Sequence, residues 1–203
     1  MVPPADVAQK SDVFEATDRS SMSGMLADES FKLGPYEVAE VDRDFNGGGG
    51  VSVGGYKAGK TTTGYQFQFK EGKDALKAEC SSVTKSQGFS LGGGGSMTFS
   101  NVTLNCSCGT GVTLKLEGKG KGLEGQVAMG DKTYSVKSVH ETDASSNQSE
   151  PAGFRVDEGE QSMGAVEVMR PGRVWLAKEL EGEQRRELGC LFAGAMLYQT
   201  PSK

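Results

Sequence analysis

The chain has 203 residues, a formal net charge of −5, 35% hydrophobic and 24% charged side chains. One domain with a core is expected. The acidic balance argues against nucleic acid, whose binders present a basic face, and against adhesion to anionic membrane by clustered Lys and Arg. Glycine numbers 30, about double its usual share of roughly 7%. With no G-X-Y period, this points to many short strands joined by tight turns.

Residues 1–29 read as a flexible polar leader, without the basic and apolar regions of a signal peptide. Val13, Phe14, Met22, Met25 and Leu26 are its candidates for docking. From Phe31 the texture changes. FKLGPYEVAEVDR reads as one or two strands, with Pro35 at an edge or turn. DRDFNG, 42–47, matches half of a calcium loop, with Asp42, Asp44 and Asn46 at alternate positions and Gly47 at the sixth. Val53 stands where the closing Glu belongs, so only weak calcium candidates remain and no metal is assigned.

NGGGG, 46–50, reads as a loop. GGYKAGKT, 54–61, satisfies G-x-x-x-x-G-K-[ST] through Gly54, Gly59, Lys60 and Thr61. A phosphate loop needs a buried strand before it and a helix opening at the Lys-Thr. Here TTGYQFQFK follows, with Tyr65, Phe67 and Phe69 alternating against Gln66 and Gln68 as a half-buried strand does. A glycine-rich hairpin fits better, and a P-loop hydrolase is the weaker alternative.

ALKAECSSV, 75–83, is the next strand, and LGGGG, 91–95, a second mobile loop. In SMTFSNVTLNCSCG, Met97 and Phe99 share one parity and Val102, Leu104, Cys106 and Cys108 the other. The slip near Ser100 and Asn101 predicts a bulge or turn. VTLKL, LEGQVAM and KTYSVKSV continue a meander, ending at His140. As the only histidine, His140 rules out a multi-histidine metal site and reads as an exposed strand end. After the polar loop HETDASSNQSEPAG come GFRV, GAVEVM and RVWLA. The last carries Trp175, a core anchor. The acidic runs DEGE (157–160) and ELEGE (179–183) contain enough carboxylates for glycoside hydrolysis, but read as solvated turns.

Residues 188–198 are unbroken apolar, Leu- and Ala-rich, and too short to cross a bilayer, which takes roughly 20 residues. They predict a helix over 183–199 enclosed on all sides. The fold class expected is therefore mainly β: ten to twelve short antiparallel strands curled into a barrel-like sheet over 30–203, around one buried C-terminal helix. A sandwich with the helix under one open end is the rival. Cys80, Cys106 and Cys108 are the disulfide candidates, since neighbouring strands bring Cys80 within reach of either partner. Cys190 reads as a small buried hydrophobe that completes the even count.

This layout resembles the tubby-like superfamily, which includes tubby C-terminal domains, phospholipid scramblases and LURP-one-related proteins. The resemblance spans roughly 31–199 and is closest in GAVEVMRPGRVWL and the terminal helix. The opening GPYEV, Gly34 to Val38, is similar to that of a set of bacterial proteins. The resemblance implies a closed barrel around a helix and, in some relatives, phospholipid contact through basic surface residues. No matching basic cluster maps onto this chain, so lipid binding is not carried over. The expectation is a non-enzymatic protein with an interaction or structural role through its surface and loops, with a phospholipid-responsive module as alternative. The candidate partners are a protein or a lipid headgroup. No catalytic residue, cofactor, nucleic acid or transmembrane span is expected. The compartment stays open, a bacterial envelope being one setting.

Overall fold

The computed structural model describes residues 1–19, 29–44, 47–91, 95–119, 122–142, 151–180 and 182–198. Two helices and thirteen strands follow in order: α1 Ala5–Lys10, β1 Ser11–Thr17, β2 Phe31–Leu33, β3 Tyr36–Asp44, β4 Gly48–Val53, β5 Tyr56–Glu71, β6 Asp74–Leu91, β7 Gly95–Cys108, β8 Val112–Lys119, β9 Glu124–Met129, β10 Lys132–Val139, β11 Gly153–Glu158, β12 Gln161–Glu167, β13 Arg173–Ala177 and α2 Gly182–Leu197. The sheet order is β3-β2-β1-β13-β12-β11-β10-β9-β8-β7-β6-β5-β4, and β3 also pairs with β5. That last pairing closes twelve strands into an antiparallel barrel and leaves β4 outside it.

Closure follows from alternation. Tyr65, Phe67 and Phe69 point inward from β5, Ala78 and Cys80 from β6, Leu104, Cys106 and Cys108 from β7, and Leu114 and Leu116 from β8, all buried in one core. Ordinary small barrels fill with such side chains alone. Here α2 occupies the middle, and every residue from Leu188 to Leu197 is buried. Its glycines make the fit: a Cβ on Gly194 would lie 2.8 Å from Cys80 Sγ and 3.1 Å from Cys106 Sγ. The Tyr65 hydroxyl donates to the Gly194 carbonyl at 2.7 Å. Burial pushes its pKa far up, so it stays a neutral donor.

The buried end of α2 needs donors for its last carbonyls. Arg19 donates to the Met196 carbonyl and Arg43 to that of Leu197 at 2.9 Å, while Arg19 also reaches, at 3.0 Å, the Pro171 carbonyl in the turn between β12 and β13. Cations there also suit the helix dipole. Burial, with Arg170 nearby, brings the Arg19 pKa down to about 10. At the other end, Arg185 donates to Asp12 at 2.6 Å and Arg186 to Asp74 at 3.2 Å.

Several expectations need correction. The leader placed over 1–29 contains α1 and a full barrel strand: β1 lies between β2 and β13. β1 turns Asp12, Phe14 and Ala16 toward the barrel, where Asp12 meets Arg185 of α2 and Phe14 and Ala16 join the core, while Val13 on the other face is exposed, so the inward positions hold only two apolar residues beside a carboxylate. Met22, Met25 and Leu26 lie outside the described residues. Not all strands are short: β5, β6 and β7 run 16, 18 and 14 residues. Nor does β7 bulge at Ser100 and Asn101, since its pairing with β6 runs in step from Ala78↔Cys108 to Leu91↔Gly95. Trp175 anchors a small separate cluster under α1, with Val7, Ala152 and Ala165.

Candidate functional site: a protruding four-stranded arm

The three long strands outgrow the barrel. β3 pairs with β5 only from Gly64 to Glu71, and β8 with β7 only from Asn101 to Cys108. Beyond the rung Lys60–Lys85–Asn101, β4, β5, β6 and β7 form a sheet of their own. Six further residues of β6 carry it about 20 Å onward, at roughly 3.3 Å per residue. β4 joins β5 through Gly54 and Gly55, both with positive φ (56° and 85°). This two-residue turn matches the strand twist.

Directly opposed residues of antiparallel strands share a face. The register therefore sets Val53, Tyr56, Phe89 and Met97 in one row, and Val51, Ala58, Gln87 and Phe99 in the next. Of the eight exposed large hydrophobic side chains among the described residues, five stand here, with Val51 67%, Val53 69% and Phe99 57% exposed. The Tyr56 and Phe89 rings meet at 5.1 Å. One rung toward the barrel the same face presents Gly49, Lys60, Lys85 and Asn101. Segments 47–64 and 81–103 hold three lysines (Lys57, Lys60, Lys85) and no Asp or Glu, within a chain of 27 acidic residues. The opposite face is small and hydroxylated, with Ser52, Gly59, Ser86, Gly88 and Thr98 around Lys57.

This geometry explains the parity slip. Followed outward, the barrel's inner face becomes the hydroxylated side of the arm, and its polar outer wall, with Gln66, Gln68 and Glu79, becomes the apolar side. Sidedness inverts without any change of register. A sheet exposed on both faces, with large apolar groups on one, has no core of its own, and exposed apolar patches of this kind are a general feature of contact surfaces.

The other candidates fall differently. Lys60 and Thr61 lie inside β5, opposite Lys85 and Thr84, so no helix opens at the phosphate-loop match. Its Gly54 is a hairpin turn. The NGGGG loop is replaced in part by β4, because Gly48, Gly49 and Gly50 pair with Thr61, Lys60 and Gly59. Asp42 and Asp44 lie in strand β3 rather than a loop, and Asp42 accepts a hydrogen bond from Gln66 at 3.2 Å. Asn46 lies outside the described residues. Among those residues no group of three or more His, Cys, Asp or Glu is placed to hold a metal ion.

The cysteines form two bridges, Cys80–Cys106 across β6 and β7, and Cys108–Cys190 from β7 to α2. Cys190 is thus a tether for the helix, not a plain buried thiol. His140 is half-buried, with its ring nitrogen 3.1 Å from the Ser138 hydroxyl. In the acidic runs, Asp157 pairs with Arg155 at 2.6 Å and Glu158 with Lys132 at 2.7 Å. Glu160 and Glu179 share a shallow depression with Asp6 and Lys10, where Gln161 donates to Glu179. No helix of the described residues is long and apolar enough to cross a membrane. Set against known proteins, the chain matches no family model, no curated protein and no solved structure.

Proposed function

We propose that this chain is a non-enzymatic binding protein that docks on the surface of an anionic bilayer through the outer face of its arm. One observation carries the reading: on that face, rows of Val, Tyr, Phe and Met give way to the Lys60–Lys85 rung, with no acidic residue in segments 47–64 and 81–103. Apolar groups at the tip suit the acyl boundary, and lysines one rung back suit the headgroup phosphates. The net charge of −5 is an average over the chain. At a Debye length of about 8 Å the arm acts by its own local charge. A barrel filled by its own helix favours external contact over an enclosed ligand. Two disulfides suit an oxidising compartment. The tubby-like kinship stays part of this proposal, at the level of a barrel around a helix.

Vesicle flotation tests it. The protein should float with vesicles of mixed phosphatidylglycerol and phosphatidylcholine and stay down with phosphatidylcholine alone. At about 1 kcal/mol per lysine, Lys60→Gln with Lys85→Gln should lower partitioning roughly 30-fold. Phe89→Ser with Phe99→Ser should abolish it. Absence of flotation with anionic vesicles, or flotation unchanged in both variants, refutes the reading and leaves a protein partner as the occupant of this face.

A further inference from the structure

The arm also carries a free edge. β4 pairs with β5 on one side and with nothing among the described residues on the other. A two-residue hairpin makes Val53–Tyr56 a hydrogen-bonded pair, and such pairs alternate along the ladder. Val53, Val51 and Gly49 thus bond to β5, while Ser52, Gly50 and Gly48 direct their N–H and C=O groups outward. Edge strands are ordinarily blunted by proline, charge or a bulge. β4 reads GGGVSV, with no proline and no charge, and its register with β5 is unbroken from Gly48↔Thr61 to Val53↔Tyr56.

We infer that β4 is an assembly edge: two copies of this chain pair β4 to β4 in antiparallel fashion, joining their arms into one eight-stranded sheet. The choice of a second copy rests on three features. Antiparallel pairing of one strand with itself is closed by a two-fold axis normal to the sheet, so no filament results. That axis keeps both apolar faces on the same side, and Val51 and Val53 of each copy become the centre of a continuous surface. It also avoids like-charge contact. The nearest lysines lie on β5, and β5 to β5 across the pair spans three strand spacings, about 14 Å, beyond a Debye length of about 8 Å at physiological salt. The β7 edge is less suited, because β8 takes over its pairing at Asn101.

The test needs no lipid, so its result is separable from the membrane reading. Sedimentation equilibrium from about 1 to 100 µM should show a concentration-dependent monomer–dimer equilibrium. Ser52→Pro should weaken dimerisation at least tenfold, since symmetry uses the Ser52 N–H of both copies and the substitution removes two interface hydrogen bonds. Proline is tolerated at an edge position whose N–H faces away from the sheet, so circular dichroism and melting temperature should stay unchanged. Ser52→Lys, which places charge at the edge without touching the backbone, should weaken the dimer likewise should the proline variant misfold. A monomer throughout the range, or a dimer equally tight in a folded Ser52→Pro or Ser52→Lys protein, overturns the inference. So does a dimer abolished by Phe99→Ser yet untouched at Ser52, which would mean pairing by faces.

Discussion

Gly194→Ala probes the enclosure of α2 directly. In a helix interior this exchange ordinarily gains about 1 kcal/mol from propensity. At Gly194 the new methyl would sit 2.8 Å from Cys80 Sγ and 3.1 Å from Cys106 Sγ. Those sulfurs are bonded to each other across adjacent strands, so neither can swing aside. Overpacking costs about 1–3 kcal/mol, and a site that cannot relax belongs in the upper half of that range. The net effect should be a loss of about 1–2 kcal/mol, or a melting temperature lower by roughly 2–8 °C for a chain of this size. Gly189→Ala is the matched control, since its methyl would meet the edge of the Phe69 ring at 3.2 Å, which can shift. It should stay within about 0.5 kcal/mol of the parent. Urea unfolding of the three proteins gives the comparison. If both alanine variants gain about 1 kcal/mol, the helix is not clasped against the Cys80–Cys106 bridge and the filled barrel is wrong.

Two further outcomes follow from the same structure. Replacing Cys108 and Cys190 together by alanine opens a loop of 82 residues and should cost about 4.5 kcal/mol on the chain-entropy account, against about 3.5 kcal/mol for Cys80 with Cys106 and its 26; urea midpoints in the reverse order would deny the helix tether. Glu167 is the acid-sensitive group. Burial opposes its ionisation, but hydrogen bonds from Arg173 and the N-terminal amine outweigh that and hold its pKa below the ordinary carboxylate value. A lowered folded pKa gives stability that is full above the unfolded value, about 4.3, and is lost as pH falls through the folded one. Glu167→Gln should therefore be less stable at neutral pH and flatten the stability slope below about pH 4.3; an unchanged slope would show that the pairing with Arg173 carries no acid sensitivity.

Where a segment is buried on one side or all round, its sequence says so. Alternation at Tyr65, Phe67 and Phe69 marks β5, and the run from Leu188 to Leu197 marks an enclosed helix, because burial dictated those residues. β1 left a weaker trace: of its inward residues Asp12, Phe14 and Ala16 only two are apolar, Val13 faces solvent, and pairing with β13 holds the strand in place. The arm was illegible for a related reason. Gly48, Gly49 and Gly50 spell a loop by composition, yet pair as a strand because β5 offers them a ladder. The inverted parity at Met97 and Phe99 was visible, but a single strand cannot distinguish a bulge from a reversal of which face is apolar. That takes the register across four strands.

The most direct test of the docking face is a fluorophore placed on it. Tyr56→Trp puts an indole beside Phe89 in the outer row of the arm, while the native Trp175 is buried under α1 and supplies a constant background. With anionic vesicles carrying brominated acyl chains, emission from the new indole should shift to shorter wavelength and be quenched, and Lys60→Gln with Lys85→Gln should reverse both changes. An indole whose emission stays that of a water-exposed ring, unquenched at saturating anionic lipid, would contradict the account.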